Sequence, residues 1–193
     1  MRELPRRLWH ILGGLCVPVA GLLVPEAIFL PALVSISIAL LIFEAVRLRS
    51  PQVNRRFIRR FRTLLREREA SMLTASTYFL MAASIVFILC DKSIAAIAMT
   101  FVAVGDPVAG MVGERWGKPT IRGKSLEGSG ACLAVCLVVG AIMAAITHVV
   151  LLVVVVGAIC ATVVELLSLP PDDNLTMPLV AGGVMSLVEF AIL

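Results

Sequence analysis

Apolar residues fill this chain in long runs, and the polar residues fall mainly in the gaps between them. Runs near 8–24, 27–47, 72–90, 93–113, 126–147, 149–168 and 174–192 approach the roughly 20 apolar residues that one bilayer crossing needs. The joints hold Pro25-Glu26, an arginine-rich stretch over 48–71, Asp91-Lys92, the segment 114–125, a short turn at His148, and Pro170-Pro171-Asp172-Asp173. The pattern predicts an all-α polytopic membrane protein with about seven transmembrane helices, as one integral-membrane domain over 1–193. Composition agrees, with 60% hydrophobic residues and a mean hydropathy of +1.01.

Charge gives the runs a direction. Arg2, Arg6 and Arg7 precede the first run. Arg47, Arg49, Arg55, Arg56, Arg59, Arg60, Arg62, Arg66 and Arg68 follow the second, and Arg115, Lys118, Arg122 and Lys124 follow the fourth. Lys92 is the lone Lys or Arg in the opposite joints. The positive-inside rule therefore predicts a cytoplasmic N-terminus and an external C-terminus. The first run resembles a signal sequence, but no clear small-residue cleavage site follows, so a retained span is expected. The formal net charge is only +4, and the arginines crowd one loop, so nucleic acid is not expected as a partner. The pattern specifies no oligomeric state.

Within that loop, Ser50-Pro51 reads as an N-cap and a first-turn proline. Val53, Phe57, Ile58, Phe61, Leu64 and Leu65 then recur at helical spacing, with arginines between them. This predicts a cytoplasmic amphipathic helix over 50–69, its arginines facing anionic headgroups. Topology and surface anchoring are expected of it ahead of nucleotide steering. Cys16, Cys90, Cys132, Cys136 and Cys160 are odd in number and lie in apolar runs, so they read as small apolar residues.

The polar residues that do interrupt apolar runs carry the candidate chemistry, because a charge in a membrane span is expensive and is a functional candidate by default. Ile94 to Asp106 covers only about 18 Å at 1.5 Å per residue. Gly105-Asp106-Pro107 is expected to break or kink the helix there, with Asp106 lining a cavity. The segment 117–125 is glycine-rich and basic, but it is one residue too long for a P-loop and has no preceding strand. Ser125 can cap the next helix, whose free N–H groups beside Lys124 would attract an anion. Glu127 either complements the helix dipole or holds a cation near phosphate. Glu165 and Asp173 fall towards the same face, while Asp172 reads as a helix cap. Acids with phosphate oxygens are the usual ligands of Mg2+. Glu44 and Arg47, three apart, can form an intrahelical pair.

The order Arg6-Arg7…His10, Glu44…Arg47, Gly105-Asp106-Pro107…Gly113, Gly123-Lys124-Ser125-Leu126-Glu127-Gly128-Ser129, Glu165 and Asp173-Asn174-Leu175-Thr176-Met177-Pro178 resembles the CTP-dependent lipid-alcohol kinases over almost the whole chain. These are dolichol kinase, phytol kinase and the CTP-using diacylglycerol kinase. The resemblance implies transfer of the CTP γ-phosphate to a membrane-embedded alcohol, with Mg2+ or a similar divalent ion. The chain resembles the short core of that family, which favours an isoprenoid alcohol such as a polyprenol, phytol or geranylgeraniol. The resemblance also implies the roles. Asp106, Lys124, Glu127 and His10 are the catalytic candidates, and Asp106, Glu127, Glu165 and Asp173 the metal candidates. Arg6, Arg7, Gly105, Gly113, Arg122, Gly123, Lys124, Ser125, Gly128, Ser129 and Asn174 would hold the nucleotide, and Glu44 and Arg47 the lipid substrate. Two other readings are a phosphatidate cytidylyltransferase-like enzyme and a small cation or proton transporter. The grouping of the acids at one face speaks against transport.

Overall fold

A computed structural model describes residues 4–192. Arg2 lies outside the described residues. The chain is a helical bundle. Its elements are α1 (Leu4–Leu23), α2 (Glu26–Arg49), α3 (Pro51–Phe61), α4 (Ala75–Leu89) and α5 (Lys92–Trp116), then a ribbon of β1 (Pro119–Ile121) and β2 (Lys124–Ser125), then α6 (Leu126–Thr147), α7 (Leu151–Leu167) and α8 (Asp173–Ile192). Among the described residues four helices are long and apolar enough to cross a membrane: α2, α5, α6 and α8. α4 and α7 are apolar but shorter. Large apolar side chains stand on the outside, Leu23 at 79% and Phe190 at 87% exposure. Apolar exteriors on this scale suit lipid better than water.

α5 is the axis of the bundle. It packs against α1, α4, α6, α7 and α8, and its side chains from Ile94 through Ala103 are almost completely buried. Of the break or kink expected at Asp106-Pro107, the break is not there, for α5 runs as one helix through Pro107 to Trp116. A proline in a helix interior removes one hydrogen bond and crowds the preceding turn. Neighbours packed on every side outweigh that local preference, as they do in other membrane helices. Gly105 permits the close fit. A Cβ there would meet Cys132 Sγ at 2.9 Å, Cys136 Sγ at 3.0 Å and Met177 Cε at 3.1 Å.

The amphipathic helix is shorter than its apolar periodicity predicts. Ser50 caps it, accepting from Val53 N–H, and Pro51 opens it. Arg55, Arg56, Arg59 and Arg60 are exposed while Val53, Phe57 and Ile58 are half-buried. The helix ends at Phe61, and a 3-10 turn follows at Glu67–Ala70. Beyond it the Glu69 carboxylate accepts from the N–H groups of Arg66 and Ala75, both at 2.6 Å, and ties the following turn to the start of α4. The basic, glycine-rich segment before α6 forms an antiparallel ribbon. Arg122 (φ 46°) and Gly123 (φ 83°) supply the two positive φ angles of a type I′ hairpin turn.

Candidate functional site

One end of the bundle gathers the polar residues. A cavity of about 950 Å3 opens there, bounded by α1, α2, α3, the loop after α3, α4, α5, the ribbon, the start of α6, α7 and the start of α8. At its floor, Lys124 reaches three carboxylates from three helices. Its Nζ lies 2.8 Å from Glu165 Oε1, 3.0 Å from Asp173 Oδ2 and 3.3 Å from Asp106 Oδ1. Burial alone would lower the lysine pKa. Asp106, Asp173 and Glu165 more than reverse this and hold the ammonium charged well above the usual lysine range. Ser129 Oγ donates to Glu165 Oε2 at 2.6 Å and so orients that carboxylate.

The ribbon and the start of α6 put Lys124 there. Ser125 caps α6, accepting from Gly128 N–H at 3.1 Å. Gly113 and Gly128 let α5 and α6 close around that cap, since a Cβ at Gly113 would meet Ser125 Oγ at 2.9 Å and one at Gly128 would meet the Ala109 carbonyl at 2.7 Å. Asp172 caps α8, its Oδ1 accepting from Asn174 N–H at 3.0 Å. Its other oxygen faces Arg68 and, at 3.7 Å, Arg66. Asp173, one residue on, keeps a buried Oδ1 with no hydrogen-bond partner.

Most of the residues singled out from sequence line this cavity: Arg6, Arg7, His10, Asp106, Gly113, Gly123, Lys124, Ser125, Gly128, Glu165 and Asp173. Arg7 pairs with Glu114 beside α5. His10 Nε2–H donates to the Val102 carbonyl at 3.2 Å. A neutral ring so committed presents Nδ1 as its acceptor.

Other residues are placed elsewhere. Glu127 is exposed and accepts from Lys118 N–H at 3.2 Å, on the outer side of the ribbon. Arg122 reaches over the end of α7 towards the carbonyls of Leu167 and Ser168 at 3.4 and 3.3 Å. Gly105 is a packing contact, and Asn174 Nδ2 donates to Asp172 Oδ1 at 2.6 Å. Glu44 and Arg47 are fully buried against each other, outside the cavity lining but bonded to Glu69 and Thr74, which belong to it. Arg66 and Arg68, which read in sequence as headgroup contacts, line the cavity instead. Only their place after the amphipathic run, in Leu65-Arg66-Glu67-Arg68-Glu69, sets them apart from the other arginines.

The floor is rich in carboxylate oxygens, and Asp173 Oδ1 lacks a partner, which suits a hard cation. As arranged, the Lys124 ammonium stands between the acids. Among the described residues no three His, Cys, Asp or Glu side chains are gathered closely enough to hold a metal by themselves. The positive charge that matches the three acids here is that of Lys124. The lining also includes apolar side chains, among them Val17, Leu40, Phe57, Phe61, Phe79 and Leu80. Comparison with protein-family models, with curated proteins and with solved structures gives no match to this chain.

Proposed function

We propose that the protein is a membrane phosphotransferase acting on a lipid alcohol, and specifically a CTP-dependent kinase for an isoprenoid alcohol. The observation that carries this reading is one cavity lined both by charged groups, Lys124, Asp106, Glu165, Asp173 and Arg66 among them, and by apolar side chains. Such a site suits a substrate with a polar head and a long tail. The sequence resemblance described above supplies the nucleotide and the class of acceptor.

In this reading α1, α2, α4, α5, α6, α7 and α8 all cross the membrane, with the N-terminus and the cavity on the cytoplasmic side and the C-terminus outside. The triphosphate of CTP lies on Lys124 and the first N–H groups of α6, where the helix dipole favours an anion. The alcohol comes from the inner leaflet, its tail along the apolar lining. Its oxygen bonds to the γ-phosphorus as the bond from that phosphorus to the β–γ bridging oxygen breaks, and CDP leaves. The hydroxyl proton passes to a base in the cavity, for which Asp106 and His10 Nδ1 are the candidates. A divalent cation, when bound, would offset charge on the phosphates, with Asp106, Glu165 and Asp173 as its protein ligands. The acceleration comes mainly from positioning and charge neutralisation.

Purified protein given γ-labelled CTP and a panel of polyprenol, phytol, geranylgeraniol and diacylglycerol should place label in a lipid and release CDP. Pyrophosphate release would replace this reading with a cytidylyltransferase. Ion flux in proteoliposomes without nucleotide, and no labelled lipid, would replace it with a transporter.

A further inference from the structure

Arg66 lies in the loop after α3 and lines the cavity, near two acids that are distant in sequence. Its Nη2 is 3.7 Å from Asp106 Oδ2 and its Nη1 is 3.7 Å from Asp172 Oδ2. Lys124 approaches the other oxygen of Asp106, so two cations flank this one carboxylate. Both Arg66 distances exceed a direct hydrogen bond, which leaves the guanidinium fork able to take a stronger acceptor. Burial would lower its pKa, but Asp106, Asp172, Glu69 and Asp173 outweigh that and hold it more firmly charged.

The backbone beneath Arg66 is fixed by a closed network. Glu69 accepts from Arg66 N–H and Ala75 N–H. Arg47 donates to the carbonyls of Glu69 at 2.9 Å and Met72 at 2.7 Å, and to Asn54 Oδ1 at 2.8 Å. Asn54 Nδ2 donates to the Ala70 carbonyl at 2.8 Å. Glu44 pairs with Arg47 and accepts from Thr74 Oγ1 at 3.1 Å. Buried ion pairs seldom add net stability, since desolvation offsets their attraction, and fixing one conformation is a better use for them.

We propose that Arg66 is a further anion-contacting residue of the cavity, gripping substrate phosphate together with Lys124, and that the Glu44–Arg47–Glu69 network is the positioning device that aims it. This rests on the phosphate-transfer reading of the cavity.

The probe is tripolyphosphate, which carries the phosphates without base or sugar. Its affinity for the purified protein is read by thermal shift, and the KM for CTP is read separately from kcat. Arg66→Ala should weaken tripolyphosphate about tenfold, the effect of losing a charged hydrogen-bonding partner. Arg66→Lys, which keeps charge without the fork, should fall between. Glu69→Gln should raise the CTP KM more than it lowers kcat. Combined with Arg66→Ala it should weaken binding no further, because coupled residues are not additive. Arg59→Ala, on the exposed face of α3, should bind as wild type. Arg66→Ala with unchanged affinity overturns the contact, and independent, multiplying losses in the double variant overturn the positioning. If Glu69→Gln does not fold, Arg66→Ala alone still decides the contact. Wild-type protein that grips tripolyphosphate through Arg66 yet phosphorylates no alcohol defeats the kinase reading and leaves this inference. Active kinase with an unchanged CTP KM in Arg66→Ala does the reverse.

Discussion

Two clusters of opposite charge stand at the same end of this bundle, and they differ in what they leave open. The Glu44–Arg47 cluster is sealed. Both side chains have no exposure, and Arg47 is matched by a carboxylate, an amide oxygen and two backbone carbonyls. The Lys124 cluster lines the cavity, its lysine 23% exposed, and Asp173 keeps an oxygen without a partner. A saturated buried network can only hold a shape. A cluster with an accessible cation and an unsatisfied oxygen can accept a ligand, because that ligand completes its bonding. Proximity of charges in the sequence would rank the first cluster higher, since Glu44 and Arg47 are three residues apart.

The comparison breaks most visibly at Arg47. Arg47→Met keeps length and apolar bulk but leaves the Glu44 carboxylate buried without its cation. A loss of about 3–5 kcal/mol is expected, the typical effect of breaking one side of a buried pair. Denaturation in detergent measures it. A variant as stable as wild type would mean that the cluster is not a structural clasp.

Asp106→Asn should behave in the opposite way. It preserves the shape of α5 and removes one charge from a buried carboxylate that lines the cavity. Transfer of phosphate should fall about a hundredfold or more, in the range seen when one preorganised charge-stabilising group is lost. The melting temperature should stay near that of wild type. Large loss of stability with turnover retained would place Asp106 with the clasp rather than with the open cluster.

How far this contrast can be read without coordinates depends on how few options a residue has. Asp106, Glu165 and Asp173 are acids beside apolar runs, and Lys124 is the nearest cation that a helix start could present. Their convergence follows from the expense of isolated charge. The caps at Ser50 and Ser125 are local and equally plain. Glu127 is different. Which way the first turn of α6 faces depends on the Arg122-Gly123 hairpin, whose strands are too short to show a period. The continuity of α5 through Pro107 comes from packing by helices distant in sequence, while the local proline signal points the other way. Arg66 is one of seven arginines over 55–68, and only the tertiary turn at Glu69 brings it to the cavity. The span count is coarser still. Four helices meet the length and apolarity for crossing, and the short α4 and α7 look no different in sequence from longer runs whose ends are polar.

The finest test lies inside the basic segment between α5 and α6. Lys118 and Lys124 are six residues apart with the same charge. If the segment serves topology alone, replacing either should act alike. The structure gives them different surroundings, since Lys118 is exposed and Lys124 contacts three acids. Lys124→Ala should raise the KM for CTP about tenfold, while Lys118→Ala should change it by no more than about twofold, as expected of an exposed charge. Raising the pH should not imitate Lys124→Ala. A lysine whose folded pKa is raised contributes stability that is complete below its unfolded value, 10.5, and is lost only as pH climbs through the higher folded value. Between pH of about 7 and about 9.5 the melting temperature should therefore show no decline that Lys124→Ala abolishes. Equal, small effects of the two alanine variants on CTP would leave the segment as a topology signal, and a decline confined to wild type would mean that the three acids do not hold the ammonium.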